Sequence, residues 1–423
     1  MSWRELQLGD GIHIKHGFAF KGEHFDAYGE HMVLTPGNFL EKGGFRVRAG
    51  KERFYQADFP EEYLLTEGDL IVAMTEQGEG LLGSAARIPS DGKYLHNQRL
   101  GLVQITDPKL LDKRFLYWVL NSTDVRAQIR ASATGAKVKH TAPERIKKVR
   151  IKAPELTAQQ AIACVLDAYD DLIATNQRRI ALLEDAARRL YREWFVHLRF
   201  PGHESVQVKD GMPEGWQDGS AYDFVFILSG GTPRTGIEHY WGGDIPFFTP
   251  KDSPETFYVL GTEKTLTEAG LASCNSQLFA KNTTLITARG TVGKVALSQK
   301  PMAMNQSCYA LVPRQAYDIF FLFTAIKNAV EHFKQVAVGG VFDAIVVDTF
   351  KIIPFVLPTP AVTQAFGNVV RPLFQQIEAF LLQNAQLVQA RDMLLPKLMS
   401  GQLDVSGIAL PQAVHTEGVP QPC

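Results

Sequence analysis

The sequence predicts an α+β protein: two pseudo-repeated α/β domains separated by two long antiparallel coiled-coil helices. Three observations predict it. Two stretches, Glu155 to Arg199 and Thr359 to Gly401, carry apolar residues at alternating steps of four and three. A domain-length segment of short strand-like runs and turns precedes each stretch, and landmarks in the first segment recur in the second. The two seams also match layer by layer when one runs opposite to the other.

Residues 1–154 read as the first mixed α/β domain. Met32 to Leu34, Leu70 to Met74 and Leu100 to Ile105 are strand-like, Gly-rich and Pro-containing turns separate them, and Arg114 to Arg130 has helical periodicity.

Residues 155–202 form the central long helix. Its seam is Ile162, Leu166, Tyr169, Ile173, Asn176, Ile180, Leu183, Ala187, Leu190 and Trp194, a stripe narrow enough to need a single partner helix. Thr157 and Gln160 supply a capping box at its start, and Pro201-Gly202 stop it. At about 1.5 Å per residue it is a rod on the order of 60 Å long.

Residues 203–358 are the second domain, entered through a polar link (203–215). It has strands near Leu285 to Ala288 and Ala310 to Val312, and a helix from Ile319 to Gln335. Residues 359–401 are the distal long helix, with Thr359 as N-cap and Pro360 at the first helical position. Its seam is Phe366, Val370, Leu373, Ile377, Phe380, Asn384, Leu387, Arg391, Leu394 and Leu398. One antiparallel register places Ile162 against Leu398, Leu166 against Leu394, Ile180 against Phe380, Trp194 against Phe366 and Asn176 against Asn384. A one-heptad slip would leave both amides facing hydrocarbon, so Asn176 and Asn384 are the register residues. Residues 402–423 lack apolar periodicity and read as a disordered tail.

Composition bounds the function. The chain of 423 residues is 45% hydrophobic and 21% charged, which fits two or three globular domains. It lacks an 18-residue apolar run and a signal-like N-terminus, so no membrane role and a cytoplasmic location are expected. Cys164, Cys274, Cys308 and Cys423 are scattered without ligand spacing, so neither a metal site nor a disulfide framework is expected. A net charge of −1 counts against holding nucleic acid alone. Local charge is more permissive: Lys137, Lys139, His140, Arg145, Lys147, Lys148, Arg150 and Lys152 crowd one stretch, and several arginines line the first rod. A solvated face explains such clusters as readily.

The repeat carries the functional reading. Leu34-Thr35-Pro36 answers Phe248-Thr249-Pro250, Asp69 to Thr75 answers Thr284 to Arg289, and Asn97-Gln98 answers Asn305-Gln306. Two such units with antiparallel rods are related by a local two-fold axis. DNA has dyads of the same kind, so a pseudo-symmetric chain can place one domain on each of two half-sites. Because the domains differ in residues, the site should be bipartite and asymmetric.

The second half holds Gly230-Gly231-Thr232-Pro233, Tyr240-Trp241-Gly242-Gly243-Asp244-Ile245-Pro246, Arg289-Gly290-Thr291-Val292-Gly293-Lys294, Asn305-Gln306-Ser307 and Leu394-Leu395-Pro396-Lys397-Leu398. Through these, and over nearly its whole length, the chain resembles the specificity subunit of type I restriction-modification systems. The first half departs from the pattern, with His16-Gly17-Phe18-Ala19-Phe20-Lys21 in place of the glycine box. The resemblance implies two target-recognition domains that read double-stranded DNA, and helices that dock two methyltransferase subunits. Restriction subunits join to make the nuclease, and this chain itself does no chemistry.

The residues agree with a non-catalytic role without cofactors. The chain has no DPPY or NPPF segment and no P-loop. Gly78 to Gly83 fits GxGxxG, but Pro89 ends the segment too soon for the helix a dinucleotide needs. Gly290 to Lys294 is too short for a P-loop and reads as a turn whose Lys294 approaches phosphate. Base reading needs long polar side chains on loops. The DNA-binding candidates are Lys15, Lys21, Asn38, Arg46, Arg48, Gln77, Arg99, Lys137 and Lys139 in the first domain. In the second they are Arg234, Lys251, Ser253, Arg289 and Lys294. Asn305-Gln306 either brace a turn or touch DNA. The alternative function is a coiled-coil scaffold whose end domains bind proteins, with no DNA specificity.

Overall fold

The computed structural model describes residues 2–48, 50–76, 80–336, 344–405 and 407. Gln77 and most of the 402–423 tail lie outside them. The chain divides into two compact units, residues 1–172 with 387–423, and residues 173–386. Each long helix contributes a segment to both.

In the first unit the β-rich runs assemble into a four-stranded antiparallel sheet ordered Ile12–His16, Leu100–Ile105, Leu70–Ala73, Ala85–Arg87. Its central strand Leu70–Ala73 is buried throughout, as an uninterrupted apolar run requires. A second sheet is organised on Met32–Val33, which lies parallel to Tyr94–Leu95. The second unit repeats this order, Val225–Ser229, Cys308–Pro313, Thr284–Thr287, Val295–Ser298, and adds a fifth strand, Tyr258–Val259, parallel to the last. Beside that sheet Trp241–Phe248 lies parallel to Ala303–Met304. In both units an antiparallel ribbon then leads into the long helix, Trp3–Gln7 with Arg150–Pro154 and Gln217–Ser220 with Pro354–Leu357.

The expected strands and the helix Ile319–Val336 form with small shifts at their ends. The continuous helix expected over Arg114 to Arg130 does not. Ser122 has extended backbone, and the segment divides into Lys113–Asn121 and Thr123–Ala131. The Ser122 hydroxyl donates to the Val119 carbonyl at 2.7 Å, a local competitor for the helical hydrogen bonds.

The first long helix runs over Leu156–Tyr191 and closes on a π turn, Arg192–Val196. The expected capping box at Thr157 is corrected. The Glu155 carbonyl accepts from the Ala158 and Gln159 amides, so the helix begins before Thr157, which sits inside the first turn. The second long helix, Pro360–Met399, starts as expected from Thr359, whose carbonyl accepts from Val362 and Thr363. Gly401, in the left-handed region at φ +75°, follows its end.

The expected narrow seam is also corrected. Buried residues outside it include Ala163 and Asp167 in the first unit, and Glu184, Tyr191, Phe195 and Phe374 in the second. Each helix therefore packs into the core of a unit as well as along a partner helix. In the first unit, Ile162, Leu166 and Leu398 share a cluster with the sheet residues Ile14, Leu70 and Val103. In the second, the Trp194 and Phe366 rings meet edge to face at 5.6 Å, and Ile180, Ile377 and Phe380 pack in the same core.

Within the second unit the Asn176 amide nitrogen donates to Asn384 Oδ1 at 2.9 Å and to Gln383 Oε1 at 3.0 Å. Asn176 is fully buried, and its own Oδ1 has no partner among the described residues. A buried unsatisfied carbonyl costs about 1–3 kcal/mol. Asn176→Leu combined with Asn384→Leu should therefore raise the unfolding free energy by about that much in urea titration. A drop in stability would show that the amides do more for the fold than against it.

Candidate nucleic-acid interface

Strand register brings the loops of each unit to one edge of its sheet. In the first unit His16 pairs with Gly101, Ala73 with Leu100 and Val72 with Ala85, so residues 17–21, 74–76, 80–84 and 96–99 leave the sheet at one edge. In the second, Ser229 pairs with Tyr309, Thr287 with Cys308 and Ile286 with Val295, which gathers residues 230–234, 288–294 and 305–307. The 3-10 turns Pro36–Asn38 and Pro250–Asp252 follow shortly after the parallel strands. The Asn305 amide donates to the Phe248 carbonyl at 3.0 Å, which ties the second of these turns to the same edge.

Two features at this edge are built alike. Thr35 and Asn38 close a capping box in which Asn38 Oδ1 accepts from the Thr35 amide at 2.9 Å, and Thr249 and Asp252 repeat it at 2.8 Å. A Cβ on Gly17 would meet the Asn97 carbonyl oxygen at 2.1 Å, and one on Gly230 the Asn305 carbonyl oxygen at 2.3 Å. The first half lacks the glycine box as a motif, yet Gly17 makes the same close approach as Gly230.

The candidates fall into three groups. Lys21, Arg48, Arg99, Lys137, Arg234, Lys251 and Arg289 are exposed. Four others are exposed or partly so but engaged within the fold. Lys15 pairs with Glu62 at 2.7 Å, Lys294 with Glu255 at 3.0 Å, Arg46 Nε donates to the Gly37 carbonyl at 3.0 Å, and Lys139 lies on a short strand whose backbone pairs with that of Glu76. The third group is structural. The Asn38 side chain is buried and bonds Thr35 and the Arg46 carbonyl, so no amide remains for a base, and the Ser253 hydroxyl is enclosed.

The GxGxxG lure is occupied by the protein itself. Buried Glu76 accepts from the Gly80, Leu81 and Leu82 amides at 3.1, 2.9 and 2.8 Å, which turns inward the donors a dinucleotide phosphate would need. Arg126 holds the same loop through the Leu82 and Gly80 carbonyls. Glu76 was not legible as an organiser, because its partners follow it in chain order only by closing a loop. Gly290 and Gly293, at φ +79° and +73°, form the expected turn, which Thr287 braces by accepting from the Lys294 amide at 2.9 Å.

Buried His96 closes the base of the first unit's Asn97 turn, its Nε2 lying 2.9 Å from the Leu100 carbonyl. Burial lowers its pKa to about 4, so the ring is neutral near pH 7 and Nε2–H donates. No group of His, Cys, Asp and Glu able to hold a metal ion occurs among the described residues, and no described helix is long and apolar enough to cross a membrane.

A sheet edge of polar loops is thus built twice, once in each unit. The type I restriction modification DNA specificity domain matches residues 2–185 and 213–383, and the chain belongs to that family. The MjaIX specificity subunit of Methanocaldococcus jannaschii is 30% identical over 177 residues, 41% of each chain. The HindI specificity subunit of Haemophilus influenzae is 20% identical, covering 95% of this chain and 99% of that one. The chain thus spans less than half of the first relative and nearly all of the second. Among solved structures, the type I S subunit from M. genitalium shares the fold, with a TM-score of 0.59 at 16% identity over 94% of this chain and 96% of that one. Family membership implies DNA target recognition.

Proposed function

We propose that this chain is the sequence-specific recognition subunit of a type I restriction-modification complex, reading a bipartite, asymmetric site. One loop edge reads each half-site. Two methyltransferase subunits and the restriction subunits dock on it and perform the chemistry, in the cytoplasm. The carrying observation is that the same edge is built twice on the same strand order, with unlike side chains at its exposed positions. Matching scaffolds whose exposed residues mostly differ fit two different half-sites.

Phosphate contacts release counterions, so affinity should fall steeply with salt. The chain purified with its methyltransferase should lose about three orders of magnitude in affinity between 50 and 200 mM salt if some six phosphates are contacted. Binding that ignores both salt and sequence would favour the protein scaffold instead.

A further inference from the structure

We infer that Gln98 and Gln306 are base-reading residues, one for each half-site, held in place by Asn97 and Asn305; the inference rests on the function proposed above. In both units the asparagine begins a tight turn. Asn97 Oδ1 accepts from the Arg99 amide at 3.0 Å and Asn305 Oδ1 from the Ser307 amide at 3.0 Å. The Leu100 amide donates to the Asn97 carbonyl at 2.9 Å, and the Cys308 amide to the Asn305 carbonyl at 3.3 Å. Each asparagine side chain thus serves its own backbone, which settles its role as a positioning residue.

The fold gives no such account of the glutamines. Each occupies the exposed corner of its turn, between strands whose residues are largely buried. Glycine on the neighbouring loop presses against both turns, so their backbones have little room to shift. A rigid corner that projects a primary amide from a DNA-facing edge is the geometry for reading a base edge.

The units differ in how much of that amide is available. Thr232 donates its hydroxyl to the Gln306 side chain, which leaves one end of the amide for a base. Two residues after the matching glycine the first unit has Ala19, which offers no hydroxyl. The Gln98 amide has no bonding partner among the described residues, so both its ends are available. Paired donor and acceptor fit the N6 and N7 groups of adenine. Gln98 therefore reads adenine through two bonds and Gln306 makes a single bond.

The test selects binding sites from a library of duplexes with both half-sites randomised, using the complex with its methyltransferase. Gln98→Ala should erase preference at one position of one half-site, a loss of about ten- to a hundredfold in discrimination. Gln306→Ala should relax one position of the other half-site by about two- to tenfold. Thr232→Val frees the second end of the Gln306 amide and should sharpen the preference at that same position, whereas Thr232→Ser should leave it unchanged. Neither glutamine variant should alter melting or the salt dependence of non-specific binding. If both select the motif of the unchanged complex, the inference is wrong although the proposed function stands. If the unchanged complex selects no motif, the function itself fails.

Discussion

Phe374→Ala should lower the stability of the second unit by about 3–5 kcal/mol, the cost of deleting a large ring from a filled core. Phe374 is fully buried, with ring centroids 4.4 Å from Phe320, 5.3 Å from Phe257 and 5.7 Å from Phe323. Those three rings come from the sheet side and from the helix Ile319–Val336, so one side chain fastens the long helix to the core of the unit. The space cannot collapse easily, because Gly367, two turns earlier, sits so close to Asp318 that a Cβ on it would fall 2.1 Å from that residue's carboxyl carbon. That carboxylate caps the same helix through the Phe320 amide at 2.8 Å and pairs with Arg371 at 2.9 Å. Urea denaturation followed by far-ultraviolet circular dichroism measures the change. A loss under 1 kcal/mol would show that the contact is loose.

Asp167→Ala is expected to cost the first unit about 2–4 kcal/mol, somewhat below the range for a fully buried ion pair. Asp167 is 4% exposed. It accepts from Arg114 Nε at 2.7 Å, Arg87 at 2.9 Å and the Trp118 indole at 2.7 Å. The guanidinium groups reach solvent in part and can rehydrate, but the buried Trp118 N–H cannot, so part of the loss remains even at high salt. Asp167→Asn should retain much of the stability, since an amide oxygen still accepts from the indole. Equal losses for both variants would place the energy in charge alone.

These two residues also mark where the sequence stopped being legible. The heptad rhythm exposed both long helices and their layers, because a period of 3.5 survives without knowledge of the surroundings. Trp194 against Phe366 and Asn176 against Asn384 follow from it. Phe374 and Asp167 lie off that rhythm, and the burial that defines them comes from domain cores assembled by distant strands. The repeat was legible through Thr35-Pro36, Thr249-Pro250 and the two Asn-Gln pairs, since turns tolerate few residue types, but its strand order was not.

The candidate interface was legible only in part. Residue type selected Asn38 and Arg99 alike, yet Asn38 closes its own turn while Arg99 is exposed. Lys15 meets Glu62 across 47 positions, a separation over which no local pattern reports. Gln306 was visible only within the Asn305-Gln306 pair, which the sequence leaves between bracing a turn and touching DNA, and the Asx bond of Asn305 assigns the asparagine to the turn.

The central claim is that each unit reads its own half of the target. Its most direct test replaces residues 203–358 with the matching domain of a relative and maps methylated bases across the genome of a cell that carries the hybrid and the methyltransferase. One half of the methylated motif should change to that of the donor while the other half stays as it was. A motif altered in both halves, or in neither, would contradict the claim.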